Sequence, residues 1–134
     1  MKKTKIFTIA LISTLGIILT PTIVNAETAD MYMEVFPTSW KESYKITKTK
    51  TGKQQVKVVN AYTALTDPCP NCKFNFMAYR DGYGKTEGML TLKMDQTGTF
   101  PGDTAFPSGK YYLTVKRADV TALPTIVNFH WIYQ

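Results

Sequence analysis

In five runs between Gln54 and its end the chain alternates apolar and polar residues, and no stretch holds a helical period over three turns. Successive side chains of a strand point to opposite faces, so this period admits strands and excludes helices. Val56 and Val58 alternate with Gln55 and Lys57, Phe74, Phe76 and Ala78 share one side of 73–80, and Leu90, Leu92 and Met94 oppose Thr91 and Lys93. Tyr111, Leu113 and Val115 alternate with Tyr112, Thr114 and Lys116, and the last run aligns Val127, Phe129, Trp131 and Tyr133. Earlier, Glu27–Asp30 reads as a polar start and Met31–Phe36 as a first strand ended by Pro37. Tyr44–Lys50 reads as a polar edge strand whose lysines discourage pairing with other chains, before Thr51-Gly52 turns the chain. Asp81-Gly82-Tyr83-Gly84 is a further turn.

Gly109-Lys110-Tyr111-Tyr112-Leu113-Thr114-Val115 resembles the Gly-x-Tyr-x-Leu-x-Val entry into a late strand of immunoglobulin-like sandwiches. The resemblance implies a tyrosine corner, in which the Tyr111 ring packs inward and its hydroxyl bonds back to nearby backbone. With short strands separated by turns, the expected fold is an all-β antiparallel sandwich, immunoglobulin-like or jelly-roll-like, of about six to seven strands. Folds of this kind carry unrelated functions, so the expectation ends at architecture.

Before the strands, Met1-Lys2-Lys3-Thr4-Lys5 is a short cationic stretch followed by the apolar run Ile6–Thr20. Pro21 then breaks any helix, and Val24 and Ala26 place small residues where a signal peptidase reads them. Residues 1–26 are therefore expected to be a secretory signal peptide cut between Ala26 and Glu27, with 27–134 a single extracellular domain. The apolar run is shorter than the roughly 20 residues a spanning helix needs, so no transmembrane anchor is expected in the mature chain. Of 16 Lys and Arg, the signal holds Lys2, Lys3 and Lys5 and none of the 10 acidic residues. The formal charge of +6 thus falls to +3 (13 basic minus 10 acidic), which argues against a specific nucleic-acid partner.

The only cysteines form Cys69-Pro70-Asn71-Cys72 between two strand patterns. In an oxidising compartment such a pair reads as a local disulfide, contributing about 2 kcal/mol by loop-closure entropy and fixing one turn. The same spacing serves thiol-disulfide oxidoreductases, but there the first thiol sits at a helix N-terminus that lowers its pKa, whereas Asp67-Pro68 and Pro70-Asn71 are turn chemistry. A zinc site needs two more ligands, and His130 is the single histidine. His130 alternates with Phe129 and Trp131 and is expected to point away from the core without a nucleophilic partner. No Gly-x-Ser-x-Gly, His-Glu-x-x-His, phosphate loop or calcium loop is present. The expectation is a non-enzyme without cofactor.

What remains is surface aromatic character. Tyr79 and Tyr83 flank the Asp81-Gly82 turn, Tyr112 faces outward, Trp40 lies in a charged segment, and Lys57, Lys93 and Lys116 occupy outward positions. Tyr and Trp bring rigid amphipathic area to contact sites, and lysines add charge for a polyanion, a glycan or a protein. The plan of a signal, about a hundred residues of strands and a final Trp131-Ile132-Tyr133 strand resembles small secreted proteins of Gram-positive bacteria, a group with no activity to carry over. The leading expectation is a monomeric secreted protein that binds an envelope component or another extracellular protein. A secreted antimicrobial or toxin-like effector is the alternative, and a thiol-disulfide oxidoreductase through Cys69 and Cys72 the third.

Overall fold

A computed structural model describes residues 26–63, 66–85, 88–101, 107–119 and 124–134; the expected export signal falls on residues 1–25, outside them. Along the chain the strands are β1 (Glu27–Val35), β2 (Lys41–Glu42), β3 (Ile46–Lys48), β4 (Gln55–Thr63), β5 (Asp67–Pro68) and β6 (Phe74–Arg80). They continue as β7 (Gly84–Lys85), β8 (Leu90–Leu92), β9 (Thr97–Thr99), β10 (Gly109–Arg117) and β11 (Thr125–Tyr133). All pair antiparallel, in two sheets that pack against each other as a sandwich. The first sheet runs β1-β11-β4-β5, with β9 also on β4; the second runs β2-β10-β6-β7, with β3 on β10 and β8 on β6.

The alternation translates into burial. On β10, Tyr111, Leu113 and Val115 are fully buried, and on β6 so are Phe74, Phe76 and Ala78. Facing them, β11 contributes Val127, Phe129 and Trp131 and β4 contributes Val56 and Val58. Phe76 of the second sheet meets Phe129 of the first edge to face, ring centroids 5.1 Å apart, which joins the two layers. The Trp131 indole N–H donates to Gln54 Oε1 at 2.9 Å, so its one polar atom is satisfied inside the core. Leu90 and Met94 are only partly buried and pack on the margin of this core.

Three local readings need correction. Glu27–Asp30 is not a lead-in: β1 already pairs residue by residue with β11 from Glu27↔Tyr133 to Val35↔Thr125. Gln55, expected to face outward, is buried because β9 lies beside it and its Nε2 donates to Thr99 Oγ1 at 2.9 Å. On the edge strand β3, Lys48 shares the inward side with Ile46 and is 1% exposed; its Nζ donates to the Gly52 carbonyl at 3.1 Å. Desolvation there lowers the Lys48 pKa.

The tyrosine corner is present. Tyr111 is fully buried and its hydroxyl donates to the Pro107 carbonyl at 2.9 Å. Gly109 enters the strand at φ +147°, a conformation side chains disfavour, with Arg80 Nε 3.2 Å from where a Cβ would stand. Tyr111→Phe should keep the fold and lower stability by about 1 kcal/mol, the net worth of one such bond, as read from the urea midpoint at unchanged slope.

Candidate functional site

Because Tyr111, Leu113 and Val115 point inward, Lys110, Tyr112, Thr114 and Lys116 must line the outer face of the second sheet. The same argument places Asn75, Met77 and Tyr79 of β6 beside them, and pairing sets the rows: Tyr112↔Tyr79, Thr114↔Met77 and Lys116↔Asn75. Tyr79 and Tyr112 stack with centroids 5.2 Å apart and planes 4° from parallel. The two rings brace each other, and both are half-buried.

One row along, Thr114 is buried between its neighbours, and its Oγ1 makes no hydrogen bond among the described residues. The following row extends from Lys116 through Asn75 to Thr91 of β8, whose hydroxyl donates to Asn75 Oδ1 at 2.7 Å. Lys116 Nζ lies 5.7 Å from the centroid of the Trp40 ring, a cation–π approach that draws the preceding loop onto the face. Thr91 continues into a cavity of about 290 Å³ lined by Lys73, Leu92, Lys93 and Gln96. Arg80 lies on the other side of β6, with Phe74, Phe76 and Ala78, and its guanidinium sits 4.0 Å over the Tyr83 ring, beyond the hairpin in which Gly82 takes φ +79°.

Of the six surface residues expected from sequence, Tyr79, Tyr112, Lys116 and Lys93 lie along one strip of the second sheet, whereas Tyr83 packs against Arg80 beyond the hairpin. Lys57 does not join them. It pairs with His130 on the first sheet, on the far side of the sandwich. Thr114, Thr91, Asn75 and Lys73 were not singled out from sequence, and only cross-strand register brings them to the strip.

Cys69 and Cys72 form a disulfide with Cα atoms 5.4 Å apart. Cys72 is 1% exposed, and the Cys72 N–H donates to the Cys69 carbonyl at 3.2 Å. The bridge closes the turn that carries the chain from β5 in one sheet to β6 in the other. No family model, curated protein or solved structure matches this chain. The strip is therefore read from its own chemistry. It has cations at one end, a stacked aromatic pair in the middle, hydroxyl and amide groups between them, and no gathering of three metal-binding side chains among the described residues.

Proposed function

We propose that the protein is secreted and acts by binding rather than catalysis, through the outer face of the second sheet, on an anionic component of the cell envelope. The observation that carries this reading is the continuity from the Tyr79–Tyr112 stack through Lys116 to the Lys73–Lys93 cavity. Lysines draw a negatively charged chain by long-range attraction, while a rigid aromatic pair supplies contact area with little ordering entropy. Glu42, opposite Thr114, is the acidic side chain paired into these rows, so the strip stays net basic. The signal-like N-terminus and a disulfide suited to an oxidising compartment support export, with β1 beginning at Glu27 just past the expected cut.

Cosedimentation of the purified protein with Gram-positive cell-wall fractions tests the reading. Binding should weaken steeply as salt rises, fall at least tenfold in a Lys93→Glu, Lys116→Glu double variant, and fall several-fold in Tyr112→Ala. Failure to sediment with any anionic fraction, or equal binding by the charge-reversed protein, sinks it.

A further inference from the structure

The outer face of the first sheet carries a second site with different chemistry. Val56 and Val58 face the core, so strict alternation would send Asn60 inward after them. It does not, because register shifts at Asn128/Phe129: Phe129 pairs with Val58 and Asn128 with Asn60, leaving Val59 as an extra residue. That β-bulge resets the parity, so Ala61 is buried and Asn60 faces out. The backbone distortion opens a depression of about 270 Å³ lined by Asp30, Tyr32, Val59, Asn60, Asn128 and His130, with Phe129 in its floor.

Its polar groups converge from three strands. Asn60 and Asn128 are directly paired across β4 and β11, Tyr32 is the partner of Asn128 on β1, and Asp30 is the partner of His130. His130 Nε2 lies 3.3 Å from Asp30 Oδ1, which orients the imidazole along the rim. Neither Asn60 nor Asn128 commits its amide to a side chain or backbone hydrogen bond among the described residues, leaving two donor–acceptor heads side by side. Tyr32 is 68% exposed.

We propose that this depression binds one ring of a neutral saccharide. A sugar ring needs hydroxyl partners that both donate and accept, together with an apolar surface for its C–H face. The paired amides and the Asp30 carboxylate supply the first, the Tyr32 ring the second. An anionic ligand is disfavoured because β1 places the exposed carboxylates of Asp30 and Glu34 along this face. The volume lies just below the range that takes drug-sized ligands, the scale of a single ring. This site is on the opposite side of the sandwich from the basic strip and stands whether or not the strip binds an envelope polymer.

The test is a titration of the purified protein with free glucose, galactose, mannose and N-acetylglucosamine, followed by backbone and side-chain amide NMR. Short chains of whichever sugar binds, added in a second arm, distinguish a free sugar from a glycan end. At least one sugar should shift the Asn60 and Asn128 side-chain amides and the His130 ring resonances, with millimolar affinity. Asn60→Ala and Asn128→Ala, both on the outer face, should each weaken binding at least tenfold with an unchanged melting temperature. Asp30→Asn, which retains hydrogen bonding without charge, should change affinity less than threefold. No shift with any sugar, shifts confined to the second sheet, binding indifferent to the asparagine variants, or loss above tenfold in Asp30→Asn would each overturn the proposal.

Discussion

Phe129→Ala should lower stability by about 4 kcal/mol, the cost of removing a fully packed phenylalanine from a core that cannot collapse around the gap. Phe129 is 1% exposed, sits at the midline of the sandwich against Phe76, and lies where the β-bulge already interrupts the β4–β11 ladder. Loss of its ring removes the edge-to-face contact between the layers and leaves a cavity beside backbone that has little freedom to close it. For a domain of about a hundred residues the melting temperature should fall by about 20 °C. Phe129→Leu retains most of the volume and should cost less than about 1.5 kcal/mol. Urea unfolding of the three proteins decides the matter. Equal midpoints for wild type and Phe129→Ala would mean that the two layers are not joined at this point.

The second large effect concerns a buried cation. Arg117 ends β10 on the inward side, 5% exposed, and its guanidinium holds Asp119 bidentately through Nε at 2.9 Å and Nη2 at 2.8 Å. Nη1 donates to Thr125 Oγ1 at 2.6 Å, at the first residue of β11, so the group ties the two sheets together where the chain passes between them. Asp119→Ala leaves a buried guanidinium without its carboxylate. Breaking a fully buried pair costs about 3–5 kcal/mol, and because Asp119 is 38% exposed the loss should be nearer about 2 kcal/mol. Replacing both partners, Arg117→Met with Asp119→Ala, should recover part of that loss, since no stranded charge then remains.

The same pair sets an acid dependence. The hydrogen bonds from Arg117 hold the Asp119 carboxyl below its ordinary pKa, so the unfolded chain takes up this proton first as the pH falls. Its contribution is complete above the unfolded carboxylate value of about 3.9 and disappears as the pH drops through the lower folded value. Stability should therefore decline less below about pH 4 in Asp119→Ala than in wild type, measured by urea midpoints across that range. Parallel acid profiles would show that Asp119 and Arg117 are not coupled.

How much of this was legible in the sequence follows from the range over which each feature is decided. Period two in Phe74–Phe76–Ala78 and Tyr111–Leu113–Val115 is a property of a few consecutive residues, and it identified the strands, their buried sides and the sandwich. The tyrosine corner was equally readable, because the Tyr111 hydroxyl reaches Pro107 only four residues upstream. The Cys69–Cys72 turn closes within four residues as well. The outward positions of Tyr112 and Lys116 followed from the same alternation.

Pairing is not local, and there the sequence was silent. Nothing near Tyr79 or Tyr112 says that the two rings will stack, because their meeting depends on β6 and β10 becoming neighbours across about thirty residues. Lys57 and Lys93 read alike, as outward lysines on alternating strands, yet strand order put them on opposite sides of the molecule. Lys48 looked like an edge lysine until the turn at Gly52 supplied a carbonyl for its ammonium inside. The extra residue at Val59 is invisible in a valine-rich strand, since alternation continues to read plausibly through it, and only its register against β11 shows that Asn60 changes sides. Local stereochemistry thus determined that this chain forms strands and which side of most of them is apolar. Tertiary pairing alone decided which polar side chains meet, because a shared face is made by residues that the sequence keeps far apart.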